Sequence, residues 1–236
     1  MITNKKNNTA DRQKGAKDAL SDVATGNHKT SFGPNDTPAY QDAYNSTYDS
    51  VKGSQDGQKD GATNSPKRDD LANQSQTYQN AYNKAYNPQN GSYSGAHDAE
   101  NNQPRNSNND QPKSYQDAYN KAYDTTKGQK DAQADFDAGK HDKRDISGQS
   151  QEYQDAYNKV FDTAKATRDG ANAGQKAGAN PAYSDLNNAH QQDSDYQANK
   201  DKPDYTKAYD DAYNQSRNKD DQQSGIQDAF AGSKKT

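Results

Sequence analysis

Three groups of residues have types and spacings that invite chemistry. Asp135-Phe-Asp137-Ala-Gly139 alternates carboxylates as a calcium loop does. His28 and His141 each stand two residues after a glycine, and Gly170–Gly178 is glycine-rich around Lys176. Each falls short of its chemistry. The acidic run lacks a third ligand and the later bidentate Glu of an EF-hand loop, since Glu100 and Glu152 are the only glutamates. The equivalent places of His28 and His141 reflect copying, and with His97 and His190 they make no ligand cluster. The glycine run has neither a Gly-Lys-Ser/Thr ending nor an apolar strand before it. A Ser/His/Asp grouping would need a rigid pocket, which this composition does not promise. The expectation is a non-enzyme, with no catalytic residue, no cofactor and no metal.

Tyrosine is the remaining candidate. The hexapeptide Tyr-Gln-Asp-Ala-Tyr-Asn begins at Tyr40, Tyr115 and Tyr153, with variants at Tyr78 and Tyr209. The first four starts are 37 or 38 residues apart and the last lies 56 further on, which marks a copied module. Tyr at i, i+4 and i+8 with Ala at i+3 and i+7 is helical phase. One arc of roughly 140° collects each set. The stripe is Tyr40, Tyr44 and Tyr48; Tyr78, Tyr82 and Tyr86; Tyr115, Tyr119 and Tyr123; Tyr153, Tyr157 and Phe161; and Tyr209 with Tyr213. It can be the minimal apolar face by which weak helices pack. It can also bind a partner, because each tyrosine ring carries a hydroxyl. The packing reading is favoured, since these helices have no other face to bury.

The elements that position the stripe follow from its surroundings. Gly128 stands thirteen residues after Tyr115, as Gly53 follows Tyr40, and it predicts a break. Beyond it Asp131–Ala138 predicts a second turn or two, with Ala132 and Phe136 spaced to touch the Tyr face of the same repeat. The expected unit is a helical hairpin of short amphipathic helices. Asn64–Gln76, Asn101–Lys113 and Gln191–Asp204 read as flexible linkers. The expected divisions are a partial repeat and linker over 1–39, then repeats over 40–77, 78–114, 115–152 and 153–204, and a partial repeat over 205–236.

Composition argues against a conventional core. Ile, Leu, Val and Phe supply only 13 of 236 residues, against a backbone-ordering cost of roughly 1–2 kcal/mol per residue. The fold class expected is therefore mostly disordered, low in complexity, with short helices in tandem repeats of 38 residues. Thirty basic and 34 acidic residues are closely mixed, with no basic stripe, so nucleic acid is not an expected partner. No apolar run suits a signal peptide or a membrane span, and no hydrophobic tail precedes Lys234-Lys235-Thr236.

Tyr115-Gln-Asp-Ala-Tyr-Asn-Lys-Ala-Tyr123, followed by Gly128-Gln-Lys-Asp-Ala-Gln-Ala-Asp-Phe-Asp-Ala-Gly139, resembles repeat regions of extracellular proteins of lactic-acid bacteria. The resemblance implies a cell-surface spacer or adhesive module, with other proteins or surface glycans as partners. Without an upstream signal peptide the chain would instead be cytoplasmic. Two other readings stay open. Mean hydropathy of −1.64 and the lack of Cys and Trp suit a desiccation protectant. The 26 Asn and 24 Gln with spaced Tyr suit a condensate-forming protein.

Overall fold

Helices form wherever the Tyr/Ala phase begins, and they run on through the glycines. A computed structural model describes residues 2–232, with side chains described from 8 to 220 and at 222, 223, 226 and 227. The terminal Lys234-Lys235 pair and the side chains of Asp228–Gly232 lie outside the described residues. Among the described residues there are eight α-helices: α1 (Ile2–Thr25), α2 (Pro38–Ala62), α3 (Gln76–Glu100), α4 (Lys113–Asp137), α5 (Gln151–Gly178), α6 (Leu186–Gln192), α7 (Ser194–Asn199) and α8 (Pro203–Gly232). Two compact units divide the chain, Met1–Lys127 and Gly128–Thr236. Helix α4 gives its first part to one and its last part to the other.

The helix starts are set by capping. Thr37, Ser75 and Ser150 accept the amides of Tyr40, Tyr78 and Tyr153, so the cap stands three residues before each stripe. Four helix ends share one closure. Gly26, Asn64, Asn102 and Gly139 take positive φ of 75°, 53°, 55° and 76°. The next amide then bonds the carbonyl of Asp22, Asp60, Asp98 or Asp135 at 2.8–3.1 Å. This is the Schellman closure, which glycine and asparagine tolerate best.

In the first unit α2 packs its N-terminal half on α1 and its C-terminal half on α3. Gly53, Gly57 and Gly61 face Tyr78, Tyr82 and Tyr86 in the same order along both helices, so the pair is parallel. Each Tyr helix starts level with the glycine half of its predecessor, thirteen residues along it. That is an advance of about 20 Å per helix at 1.5 Å per residue. In the second unit α5 meets α4 through Tyr153 and α8 through Gly170–Gly178, and here the stagger is longer, Gly170 lying seventeen residues after Tyr153. The segment between α5 and α8 carries α6 and α7, which lie against the Tyr face of α8.

The mostly disordered, low-complexity expectation is overturned. The long helices are 24–30 residues, and Tyr44, Tyr82, Tyr119, Tyr157, Tyr209 and Phe161 are fully buried. Counting aliphatic residues undervalued tyrosine. Each ring buries on the order of 150–250 Å² once its hydroxyl has a partner. The hairpin expectation is corrected too. Gly128 does not break α4, and the glycine half packs on the next Tyr helix, not on its own. Helix propensity lost at glycine is offset by the close approach that a missing Cβ permits.

Candidate functional site

The α2–α3 seam contains all the parts. A Cβ built on Gly53 would lie 2.5 Å from the carbonyl oxygen of Tyr78, and one on Gly61 2.6 Å from that of Tyr86; Gly57 is tighter still. Carbonyl oxygens of α3 therefore rest on the glycine Cα atoms of α2, a Cα–H···O arrangement. The Tyr rings stack along α3 with centroids 6.2 and 5.6 Å apart. They reach past the glycines to carboxylates three residues on. Tyr78 donates to Asp56 at 2.6 Å and Tyr82 to Asp60 at 3.0 Å, while Tyr86 donates to the Ser65 carbonyl at 2.7 Å. Arg68 folds back from the linker and pairs with Asp56 at 3.2 Å and Asp60 at 2.8 Å.

The same parts recur at the other seams. Between α1 and α2, Gly15, Ala19 and Val23 are the small stripe, Tyr40 and Tyr44 donate to Asp18 and Asp22 at 2.8 Å, and the linker Lys29 donates to the Tyr40 hydroxyl at 2.9 Å. Between α3 and α4, Gly91 and Gly95 meet Tyr115 and Tyr119, and Tyr119 donates to Asp98 at 2.8 Å. Tyr115 and Tyr123 are only half-buried. Between the end of α4 and α5, Tyr153 and Tyr157 donate to Asp131 and Asp135 at 2.8 Å, and Arg144 pairs with both carboxylates. The linker amide of Lys29 donates to the Tyr44 oxygen at 2.8 Å, and that of Asn106 to Tyr119 at 3.0 Å.

The α5–α8 seam departs from this pattern. Gly170, Gly174 and Gly178 meet Tyr205, Tyr209 and Tyr213, but Ala173 and Ala177 stand where other seams place Asp. Tyr209 finds Asp193, ahead of α7, at 3.0 Å. Among the described residues the buried Tyr213 hydroxyl has no hydrogen-bond partner. His190 stacks on Tyr196 at 3.9 Å and bonds Asp210 at 2.6 Å, tying α6 to α8.

These surroundings hold the seam in one protonation state. Burial first, then the bond to Asp60 or Asp98, pushes Tyr82 and Tyr119 up to about 12. Burial pushes Tyr205 to about 12 as well, and raises Tyr78, Tyr153 and Tyr209 further. Burial pushes Asp56 and Asp135 upward, but hydrogen bonds from Lys52 and Tyr78, or Lys140 and Tyr157, and the facing Arg68 or Arg144 outweigh it. Both end below the usual carboxylate range. Neutral phenols donating to ionised, paired carboxylates make a structural latch.

The residues singled out from sequence are scattered by this arrangement. Asp135 is buried in the seam while Asp137 points to solvent, so the acidic run is no ligand set. His28 stacks on Tyr48 at 4.0 Å, whereas His141 is exposed. Gly170–Gly178 is the small stripe of α5. Among the described residues no group of three His, Asp or Glu is placed to hold a metal, and no helix is long and apolar enough to cross a membrane. Sequence reasoning missed Tyr205, although it opens an i, i+4, i+8 set with Tyr209 and Tyr213. It also missed the glycines as contact residues, although Gly53, Gly57 and Gly61 repeat every fourth residue.

The flank of α2–α3 away from Arg68 is open. A groove of about 610 Å³ runs there between Ser50, Ser54 and Gln58 on one helix and Asn80, Lys84 and Gln89 on the other. A groove of about 430 Å³ lies between α5 and α8, lined by Gln175, Gln215 and Ser216 among others. No family model, no curated protein and no solved structure matches the chain.

Proposed function

We propose that the chain is a non-enzymatic spacer or adhesive module of a cell surface, and that spacing is the part its fold performs. The observation that carries this is the reuse of one parallel, staggered seam, which spends its phenols and carboxylates on holding helices together. With the rings buried, adhesion would fall to the polar grooves and not to the stripe. The protectant and condensate readings start from an unstructured chain, and the buried tyrosines remove that premise.

The advance per helix gives a direct test. A second copy of residues 40–77 inserted after Thr77 adds one seam to the first unit. The chain has no cysteine, so Asn35→Cys and Asp110→Cys accept spin labels selectively. The insertion should lengthen the label distance by about 20 Å, one thirteen-residue advance; an unchanged distance overturns the spacer reading. Surface location is checked by fractionating the source cells. Recovery from wall or medium supports it, and purely cytosolic recovery refutes it.

A further inference from the structure

The direction of the helices decides how a pulled chain would respond. Gly53, Gly57 and Gly61 meet Tyr78, Tyr82 and Tyr86 in parallel order, and the overlap joins the C-terminal half of α2 to the N-terminal half of α3. Tension draws the N-terminal half of α2, packed on α1, one way and the C-terminal half of α3, packed on α4, the other. The glycine–tyrosine seam is then loaded in shear along its whole length. The linker 63–75 returns from the end of α2 to the start of α3, beside the overlap, so the first sliding breaks its bonds to the helices without drawing its backbone straight. It is stored length. The α1–α2, α3–α4 and α4–α5 seams have the same order and linkers of similar size, 26–37, 101–112 and 138–150.

We infer that the seams are mechanical releases: under tension each parallel helix pair slides apart as its own event and gives up its linker, so the chain lengthens stepwise. A release breaks no covalent bond. It exchanges Tyr–Asp and Arg–Asp pairs for water and is reversible when tension falls. The seams are not equal. In α5–α8 the acceptor positions are Ala173 and Ala177, and the Tyr213 hydroxyl is unpartnered. That seam releases at the lowest force. Its linker, 179–202, is also the longest, which labels the event by size.

The inference rests on the spacer reading for its biological load. Cytosolic recovery of the chain would remove that load and leave the releases intact; an all-or-none extension would remove the releases and leave a spacer.

The test is optical-tweezer extension of the full chain held by tags at both ends. A linker of 13 residues drawn straight, about 45 Å, plus roughly 15–20 Å of lost overlap gives short steps on the order of 60 Å. The α5–α8 event should come first and be longer, on the order of 100 Å by the same reckoning. One all-or-none extension, or a smooth one, overturns the inference. A staple identifies a single seam. Ser75 donates to Asp49 across α2–α3 at 2.6 Å, so Asp49→Cys with Ser75→Cys places two thiols there. When oxidised it should delete one short step, and reductant should restore it; an unchanged step count again overturns the inference. The unsubstituted trace decides the matter even where the stapled chain folds poorly.

Discussion

Gly57→Ala would drive a methyl carbon into the backbone of Tyr82 at closer range than the 2.5 Å found at Gly53. Elsewhere in a helix the same change gains up to about 1 kcal/mol of propensity. Here overpacking against backbone, which cannot rotate away, should win by about 2–3 kcal/mol. We expect the urea midpoint to fall with the slope unchanged. Gly148→Ala, with nothing within 4 Å of its Cβ, should stay within about 0.5 kcal/mol of the parent. A Gly57→Ala chain as stable as the parent would disprove the close approach. Tyr213→Phe tests the opposite case. Its hydroxyl is buried without a partner, and Phe161 fills the equivalent third place of the stripe in α5. Removing an unsatisfied polar group should be neutral or stabilise by about 1 kcal/mol. A loss larger than that in thermal unfolding would mean the hydroxyl has a partner.

Among the elements, the linkers do more than connect. Asp22, Asp60, Asp98 and Asp135 sit in the last turns of their helices, where the macrodipole disfavours an anion. Each is held there by a Tyr hydroxyl, and Asp60 and Asp135 also by a linker arginine. Arg144 is the most connected of these cations, bonding Tyr153 at 2.7 Å, Asp131 at 2.8 Å and Asp135 at 3.2 Å. It is partly exposed, so solvent discounts its worth. Arg144→Gln should cost about 1–2 kcal/mol. A double-mutant cycle with Asp135→Asn should show coupling above 0.5 kcal/mol or so; additive losses would show that the linker only covers the seam.

At the scale of the molecule, the phenols in successive seams predict a common alkaline failure. A raised phenol pKa adds stability that is fully present below the ordinary value of 10.0 and is lost as pH rises through the folded value. Tyr82, Tyr119 and Tyr205 reach about 12. Helical circular dichroism should therefore hold to about pH 10 and collapse by about pH 12, together with tyrosinate absorbance. Tyrosines that ionise near 10 while the helix signal stays intact would contradict their burial. On the acid side Asp56 and Asp135 lie below the usual 3.8. Their contribution is present above that value and is lost as pH falls through their folded pKa, so the chain should tolerate mild acid well.

The helical phase of the tyrosines, the self-similar hexapeptides and the small number of aliphatic residues are all legible in the chain alone. Those are properties of residue type and spacing, readable at Tyr115, Ala118, Tyr119 and Ala122 without any fold. The stripe residues were legible as one face, but the small-residue face opposite them was not. Gly128 in isolation weakens a helix, and only a neighbouring backbone lying against its Cα reverses that sign. Likewise Asp56 and Asp60 look like solvated charges until Tyr78, Tyr82 and Arg68 are brought to them from the next helix and its linker. Tertiary structure alone decided order over disorder, parallel stagger over hairpin, and which repeat each glycine half serves. Those choices rest on contacts 21–35 residues apart, where burial and hydrogen-bond pairing outweigh the local propensities a sequence displays.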